Sequence, residues 1–148
     1  MNTKARILGA CAVSAGLVLA ACGGGAASYK DGTYTGQSAV WEDNEGGDGN
    51  GYGVATVTIS GGKISACTFE TYEPDGTLKD ANYGMVNGRI GNQDYYNKAQ
   101  RALAANADYA EQLVAKGSVA GVDLVSGATI SYGEFQEAAQ AALDQAAQ

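Results

Sequence analysis

The chain has 148 residues, three cysteines, no histidine and a formal charge of -7. Its length suits one domain, and its acidic balance argues against nucleic acid and against a lipid surface bound by charge. Without histidine it lacks the usual imidazole base, the commonest transition-metal ligand and the usual haem ligand.

Lys4 and Arg6 lead into a run of small and apolar residues from Ile7 to Ala21, the pattern of a secretory signal. The run is shorter than the ~20 residues of a membrane span. It ends in Leu19-Ala20-Ala21-Cys22, which resembles a lipobox, where a bacterial signal is cut before a cysteine carrying diacylglycerol. Residues 1–21 are therefore expected to be a lipoprotein signal peptide, with 22–28 a lipidated Cys22 and a Gly/Ala/Ser tether, and 29–148 a single domain. An unmodified Cys22 behind an ordinary signal is the other reading. The location implied is the extracytoplasmic face of the cell membrane, with contact through the lipid anchor only. Cys67 is then a lone thiol in an apolar stretch, read as a buried small hydrophobe. One free thiol rules out an internal disulfide, an iron–sulfur cluster and C-x-x-C-H haem attachment, and no metal site is expected.

The domain opens with a turn signal at Asp31-Gly32 and a strand-prone Thr33-Tyr34-Thr35. From Glu42 to Gly51 the residues are only acidic, Asn or Gly. Asp43, Glu45, Asp48 and Asn50 invite a calcium reading, but the spacing does not match an EF-hand loop, and a solvated surface loop is the better account. Tyr52 to Ser60 alternates as a strand, with Val54, Thr56 and Thr58 on one face and Ala55, Val57 and Ile59 on the other. Gly61-Gly62 fits a tight hairpin turn. The return strand, Lys63 to Tyr72, changes phase between Ile64/Ala66 and Cys67/Phe69, which suggests a bulge or burial on both faces. Pro74-Asp75-Gly76 ends the hairpin.

Beyond a Gly/Asn-rich crossing, Tyr96, Ala99, Leu103 and Ala107 recur at helical spacing, and Tyr109, Leu113 and Val114 continue the pattern to Gly117, a natural C-cap. Asn106 or Asp108 is a candidate start for a second helix. In the last segment Phe135, Ala138, Ala139, Ala142, Leu143 and Ala146 make one apolar stripe. Strands first and helices later predict an α+β domain: a small antiparallel sheet with helices packed on it.

The segment Asp123-Leu124-Val125-Ser126-Gly127-Ala128-Thr129-Ile130-Ser131 reads as a loop opening into that last helix. Ser131 and Glu134 have the S-x-x-E spacing of a capping box, which makes Ser131 the expected N-cap. Thr129 then lies beside unpaired backbone N–H groups and the positive end of the helix dipole, where phosphate is favoured. Gly127 and Ala128 leave little bulk in the way of a ligand. On local physics alone, a turn plus a cap is the better account of the segment, because Ser/Thr/Gly clusters before helices are common.

The run D-x-x-S-G-A-T-x-S resembles the flavinylation motif of the FMN-binding domain family. Relatives there include the C subunit of the sodium-pumping NADH:quinone oxidoreductase, the G subunit of the Rnf complex and small cell-surface flavin lipoproteins. The opening DGTYTG, the strand pair with GGKIS and the helix after the motif are also like the small lipoprotein members. In that family a flavin transferase uses FAD to place FMN on the motif threonine through a phosphoester. The resemblance implies FMN on Thr129, with Asp123, Ser126, Gly127, Ala128 and Ser131 around it. Asp123 either binds a metal during transfer or caps the loop. Trp41, Tyr52, Tyr83, Tyr95 and Tyr132 are candidates to stack on the flavin ring, although each tyrosine taken singly reads first as a core or surface residue.

The function implied is that of an extracytoplasmic electron carrier between a membrane donor and an extracellular acceptor or reductase, without catalytic residues of its own. A lipoprotein holding FMN or another phosphate ligand noncovalently, or a flavin-free surface interaction module, are the alternatives. A hydrolase is disfavoured by the missing histidine and nucleophile elbow.

Overall fold

The computed structural model describes residues 28–43 and 49–147. The expected signal peptide, Cys22 and all of the tether before Ser28 lie outside the described residues, as do Glu45 and Asp48 of the acidic loop. Three strands, β1 (Gly32–Gln37), β2 (Tyr52–Ser60) and β3 (Lys63–Tyr72), form an antiparallel sheet in the order β1-β2-β3. Two helices follow, α1 (Gln93–Lys116) and α2 (Thr129–Ala146), separated by a 3-10 turn at Val119–Gly121. This is the α+β architecture that the sequence predicts.

The alternation in β2 decides which face is covered. Gly53, Ala55, Val57 and Ile59 are buried while Val54, Thr56 and Thr58 are only partly covered. The outer face carries cross-strand threonine pairs, Thr33 with Thr58 at 3.3 Å and Thr35 with Thr56 at 3.2 Å, pairings that favour a solvated sheet face. The phase change in β3 is a bulge. Ile59 pairs with Ile64 but Thr58 pairs with Ala66, so Ser65 is the extra residue and the buried set passes from Ile64 to Phe69 and Thr71.

Helix α2 lies across β1 and β2, and α1 lies on β3. The stripe Phe135, Ala138, Ala139, Ala142, Leu143 and Ala146 is wholly buried, and Phe69 meets Phe135 edge-on with ring centroids 5.1 Å apart. Its alanines let the helix sit close to the sheet. A Cβ at Gly36 would lie 2.1 Å from the Ala138 carbonyl oxygen.

Helix α1 is a single element of 24 residues, so no second helix begins at Asn106 or Asp108. Asn106 does not bond to its own backbone as an N-cap would. It is buried at mid-helix, and its Nδ2 donates to Thr71 Oγ1 at 3.1 Å, which ties the helix to the sheet. Ala107, expected in the apolar stripe, is exposed; the buried face runs through Ala99, Ala105, Asn106, Tyr109, Ala110 and Leu113. The helix starts at an N-cap, Asn92, whose Oδ1 accepts from the Tyr95 N–H at 3.0 Å, and ends at Gly117 in the left-handed region at φ 71.

Candidate functional site

The segment from Val122 to Ala128 crosses from the 3-10 turn to α2 and is held from behind by α1. Tyr109, fully buried on α1, accepts the Val125 N–H at 3.2 Å and donates to the Ala128 carbonyl at 3.1 Å. One turn on, Gln112 takes both backbone groups of Asp123: its Oε1 accepts the Asp123 N–H at 2.8 Å and its Nε2 donates to the Asp123 carbonyl at 3.3 Å. A turn closed by the Ala128 N–H on the Val125 carbonyl at 3.1 Å, with Gly127 at φ 84, brings the chain into α2. The positive φ at Gly127 is one that L side chains rarely adopt.

The helix starts three residues earlier than the capping-box spacing suggests. Ala128 is the N-cap and has no side-chain hydrogen bond to offer, Thr129 is the first helical residue, and Ser131 and Glu134 are buried inside the helix. Ser131 therefore does not cap α2. Tertiary packing overrides the local signal here: Ala128 is buried, and its carbonyl starts the helix by accepting from the Tyr132 N–H at 2.9 Å. The outcome is that the first backbone N–H groups of α2 meet no side-chain oxygen from the N-cap residue, next to an exposed Thr129.

Thr129 stands between two hollows. The larger, of about 270 Å³, is lined by Thr129, Ile130, Ser131 and Glu134 from α2, by Ala99, Ala102 and Leu103 from α1, by Tyr83 and Tyr95, and by Lys79, with Gly127 and Ala128 at the loop. The smaller, of about 240 Å³, is formed by Ala39, Val40 and Trp41 with Thr129, Ile130 and Gly133. Its Trp41 is held at the edge of the sheet by reciprocal backbone bonds with Gly51.

Of the residues expected at the site, Thr129, Gly127, Ala128 and Ser131 come together at the large cavity, with Tyr83 and Tyr95 facing them. Ser126 is exposed and does not line it. Asp123 points away: its carboxylate is ion-paired with Lys116 and is 83% exposed. No group of three or more acidic or cysteine side chains able to hold a metal occurs among the described residues. Tyr132 serves the core. Its hydroxyl donates to the Val122 carbonyl at 2.8 Å and its ring packs on Tyr109. Tyr52 stacks on Tyr72 with ring centroids 5.4 Å apart.

Two cavity residues escape sequence reasoning. Lys79 is only 8% exposed; its Nζ donates to the Gly49 carbonyl at 3.1 Å and lies 5.0 Å from the centre of the Tyr83 ring. Burial holds its ammonium below the usual lysine range. Glu134 is 5% exposed, its Oε1 has no hydrogen-bond partner among the described residues, and burial pushes its carboxyl up to about 7. Lys79 counts against that rise and Glu137 adds to it. The signal for Glu134 lay in its spacing: four residues before Ala138, it shares the buried stripe of α2.

A mostly apolar hollow with tyrosines on one side, a few inward polar groups and a hydroxyl on a helix N-terminus at the mouth defines a binding domain for a flat, phosphate-bearing ligand. Residues 49–144 match the model of the FMN-binding domain, and the chain belongs to that family of flavin-binding proteins. The fold is similar to that in a crystal structure of a Clostridium perfringens protein solved as a structural-genomics target. That likeness has a TM-score of 0.59 at 22% identity and covers 80% of this chain and 88% of the other. A comparison with curated protein sequences gives no match.

Proposed function

We propose that the chain carries FMN as a phosphoester on Thr129 and acts as a lipid-anchored electron carrier outside the cytoplasm. The observation that carries this reading is the position of Thr129: exposed, first in α2, and at the mouth of the large cavity. The residues fit the group. The N-cap side chain leaves the first-turn N–H groups of α2 to a phosphate on Thr129. Tyr83, Tyr95, Ala102 and Leu103 offer the flat, apolar surface that an aromatic ring needs, and Glu134, whose Oε1 has no hydrogen-bond partner among the described residues, is among the lining residues. When bound, the flavin supplies the capacity to take up and release electrons.

The chain's own part is to hold and orient. Tyr109 and Gln112 fix the loop that presents Thr129, and the walls of α1 and α2 keep water from one side of the ring. A covalent tether suits a protein outside the cytoplasm, where a dissociated cofactor diffuses away. The lipobox-like Leu19-Ala20-Ala21-Cys22 supports delivery to the outer face of the membrane, and a flavin transferase is the partner that maturation requires. Electron donor and acceptor would meet the ring at the open side of the cavity.

The test is co-expression of the domain with a flavin transferase, followed by denaturation and intact-mass measurement of the wild type and of Thr129→Ala. The expected result is an added mass of esterified FMN in the wild type that is missing from the variant. Flavin present before denaturation and lost with it would instead support noncovalent binding. A colourless protein, with the transferase active on a control, would leave a flavin-free surface module. Globomycin-sensitive processing and labelling of Cys22 by a radiolabelled fatty acid test the anchor.

A further inference from the structure

Glu134 is the one carboxylate among the residues lining the large cavity. It is nearly fully buried, and its Oε1 has no hydrogen-bond partner among the described residues. A buried carboxylate oxygen without a partner is costly, and a structural role would be expected to provide one. Lys79, the nearest opposite charge acting on it, is turned to the Gly49 carbonyl. The other groups facing the cavity are Lys98, Tyr83 and Tyr95. Glu137, one turn further along α2, is held by the Ala39 N–H at 3.0 Å. Glu73 acts on Lys79, and β2 packs against Glu134 with Gly53.

The geometry points to Glu134 as a proton-binding site coupled to electron uptake: when two electrons enter a flavin seated in this cavity, the Glu134 carboxylate takes one proton from solvent, and returns it when the electrons leave. This rests on the cavity being the flavin seat, as proposed above. The balance is complete. A low-potential reductant such as dithionite would be oxidised and supply two electrons, the flavin when bound would account for the one proton of its own reduction, and one further proton from water forms an O–H bond on Glu134. No bond of the chain breaks.

The sign follows from electrostatics. Negative charge arriving beside a buried carboxylate, in surroundings that screen poorly, favours the carboxyl's neutral form. By linkage, the same coupling makes electron uptake harder wherever Glu134 is ionised. In the flavin-free chain burial raises the carboxyl to about 7; with reduced flavin beside it the carboxyl titrates higher than with oxidised flavin. Between its value with oxidised flavin and its higher value with reduced flavin, reduction binds an extra proton. The reduction equilibrium then falls an additional tenfold per pH unit, ~30 mV for a two-electron couple.

The experiment is a potentiometric titration of the flavin-loaded protein from pH 5 to 9, for the wild type, Glu134→Gln and Lys79→Met. Intact mass after denaturation serves as the loading control. The expected result is that the wild type and Glu134→Gln coincide at the acid end and separate as the Glu134 carboxyl ionises, with the wild type at lower potential and, where the curves part, at the steeper slope. Lys79→Met, which removes the charge that favours the ionised form, is expected to move the separation to higher pH; it gives the same reading if Glu134→Gln fails to fold. Parallel curves with the added mass present overturn the role of Glu134 and leave the ester on Thr129 standing. Flavin bound but lost on denaturation overturns the ester alone, and the titrations still read Glu134. Protein that takes up no flavin overturns both.

Discussion

The Tyr109 hydroxyl, in the core of the domain, donates to the Ala128 carbonyl at 3.1 Å, one residue before the threonine proposed to carry the flavin. The same oxygen accepts the Val125 N–H, so one side chain of α1 sets both ends of the Val125–Ala128 turn. The Tyr109 ring stacks on Phe135 of α2 at 5.5 Å, which locks its position. Thr129 is thus presented from the core rather than from a free loop, as the proposed meeting with a flavin transferase in one geometry would require.

Tyr109→Phe keeps the ring and removes the clamp. It is expected to lower stability by about 1–3 kcal/mol, because the Val125 N–H loses its partner while the packing stays. Urea denaturation of the flavin-free domain measures this. Loading of Thr129 by the transferase, read by intact mass, is expected to fall by more than the small change in folded fraction explains. Unchanged loading would mean that the clamp does not position Thr129.

The elements were legible where one local pattern decided the outcome. The β2 alternation, the Gly61-Gly62 turn, the phase change resolved as a bulge at Ser65, and the α2 stripe each follow from period and turn chemistry. The motif residues were legible because they are contiguous. The cavity was not, since its walls come from distant segments: Lys79 sits in a polar stretch that reads as solvated, and only the fold brings it to Glu134. Ser131 and Asn106 misled for one reason. Both are good local hydrogen-bonding residues whose positions were decided by burial against other elements.

Gly36 tests the packing that places α2. A Cβ there would come within 2.1 Å of the Ala138 carbonyl oxygen and 2.4 Å of the Ala142 nitrogen, both backbone atoms that cannot swing aside. Gly36→Ala must therefore push the helix off the sheet. The expected loss is at or beyond the upper end of the ~1–3 kcal/mol typical of overpacking, seen as a lower urea midpoint. A variant as stable as the wild type would show that α2 sits further from β1.

Cys67 faces the other way chemically. Burial pushes its thiol from 9.0 up to about 11, so its thiolate fraction at pH 8 is ~100-fold smaller than that of an ordinary thiol, and the thiolate is the reactive form. The native domain is expected to resist iodoacetamide at pH 8 and to be alkylated quickly in urea, as followed by mass. Cys67 is half-buried against the core rather than fully buried as the sequence suggests, and rapid labelling of the native protein would contradict the shielding of its thiol.

Glu134 should also leave a mark on stability without any flavin present. Its carboxyl has an ordinary value of 4.5 and is raised to about 7 in the folded chain. Between these values the folded state binds the proton and the unfolded state does not, so Glu134's contribution to stability is fully present below about 4.5 and is lost as pH rises through about 7. The fall is on the order of 3 kcal/mol if the full shift is expressed. Glu134→Gln keeps the shape and removes the charge. It is expected to match the wild type near pH 4 and to be the more stable protein at pH 8, by urea denaturation across that range. A variant less stable than the wild type at pH 8 would mean that the ionised carboxylate has a partner in solution, and that α2 carries Glu134 for its bonds rather than at a cost.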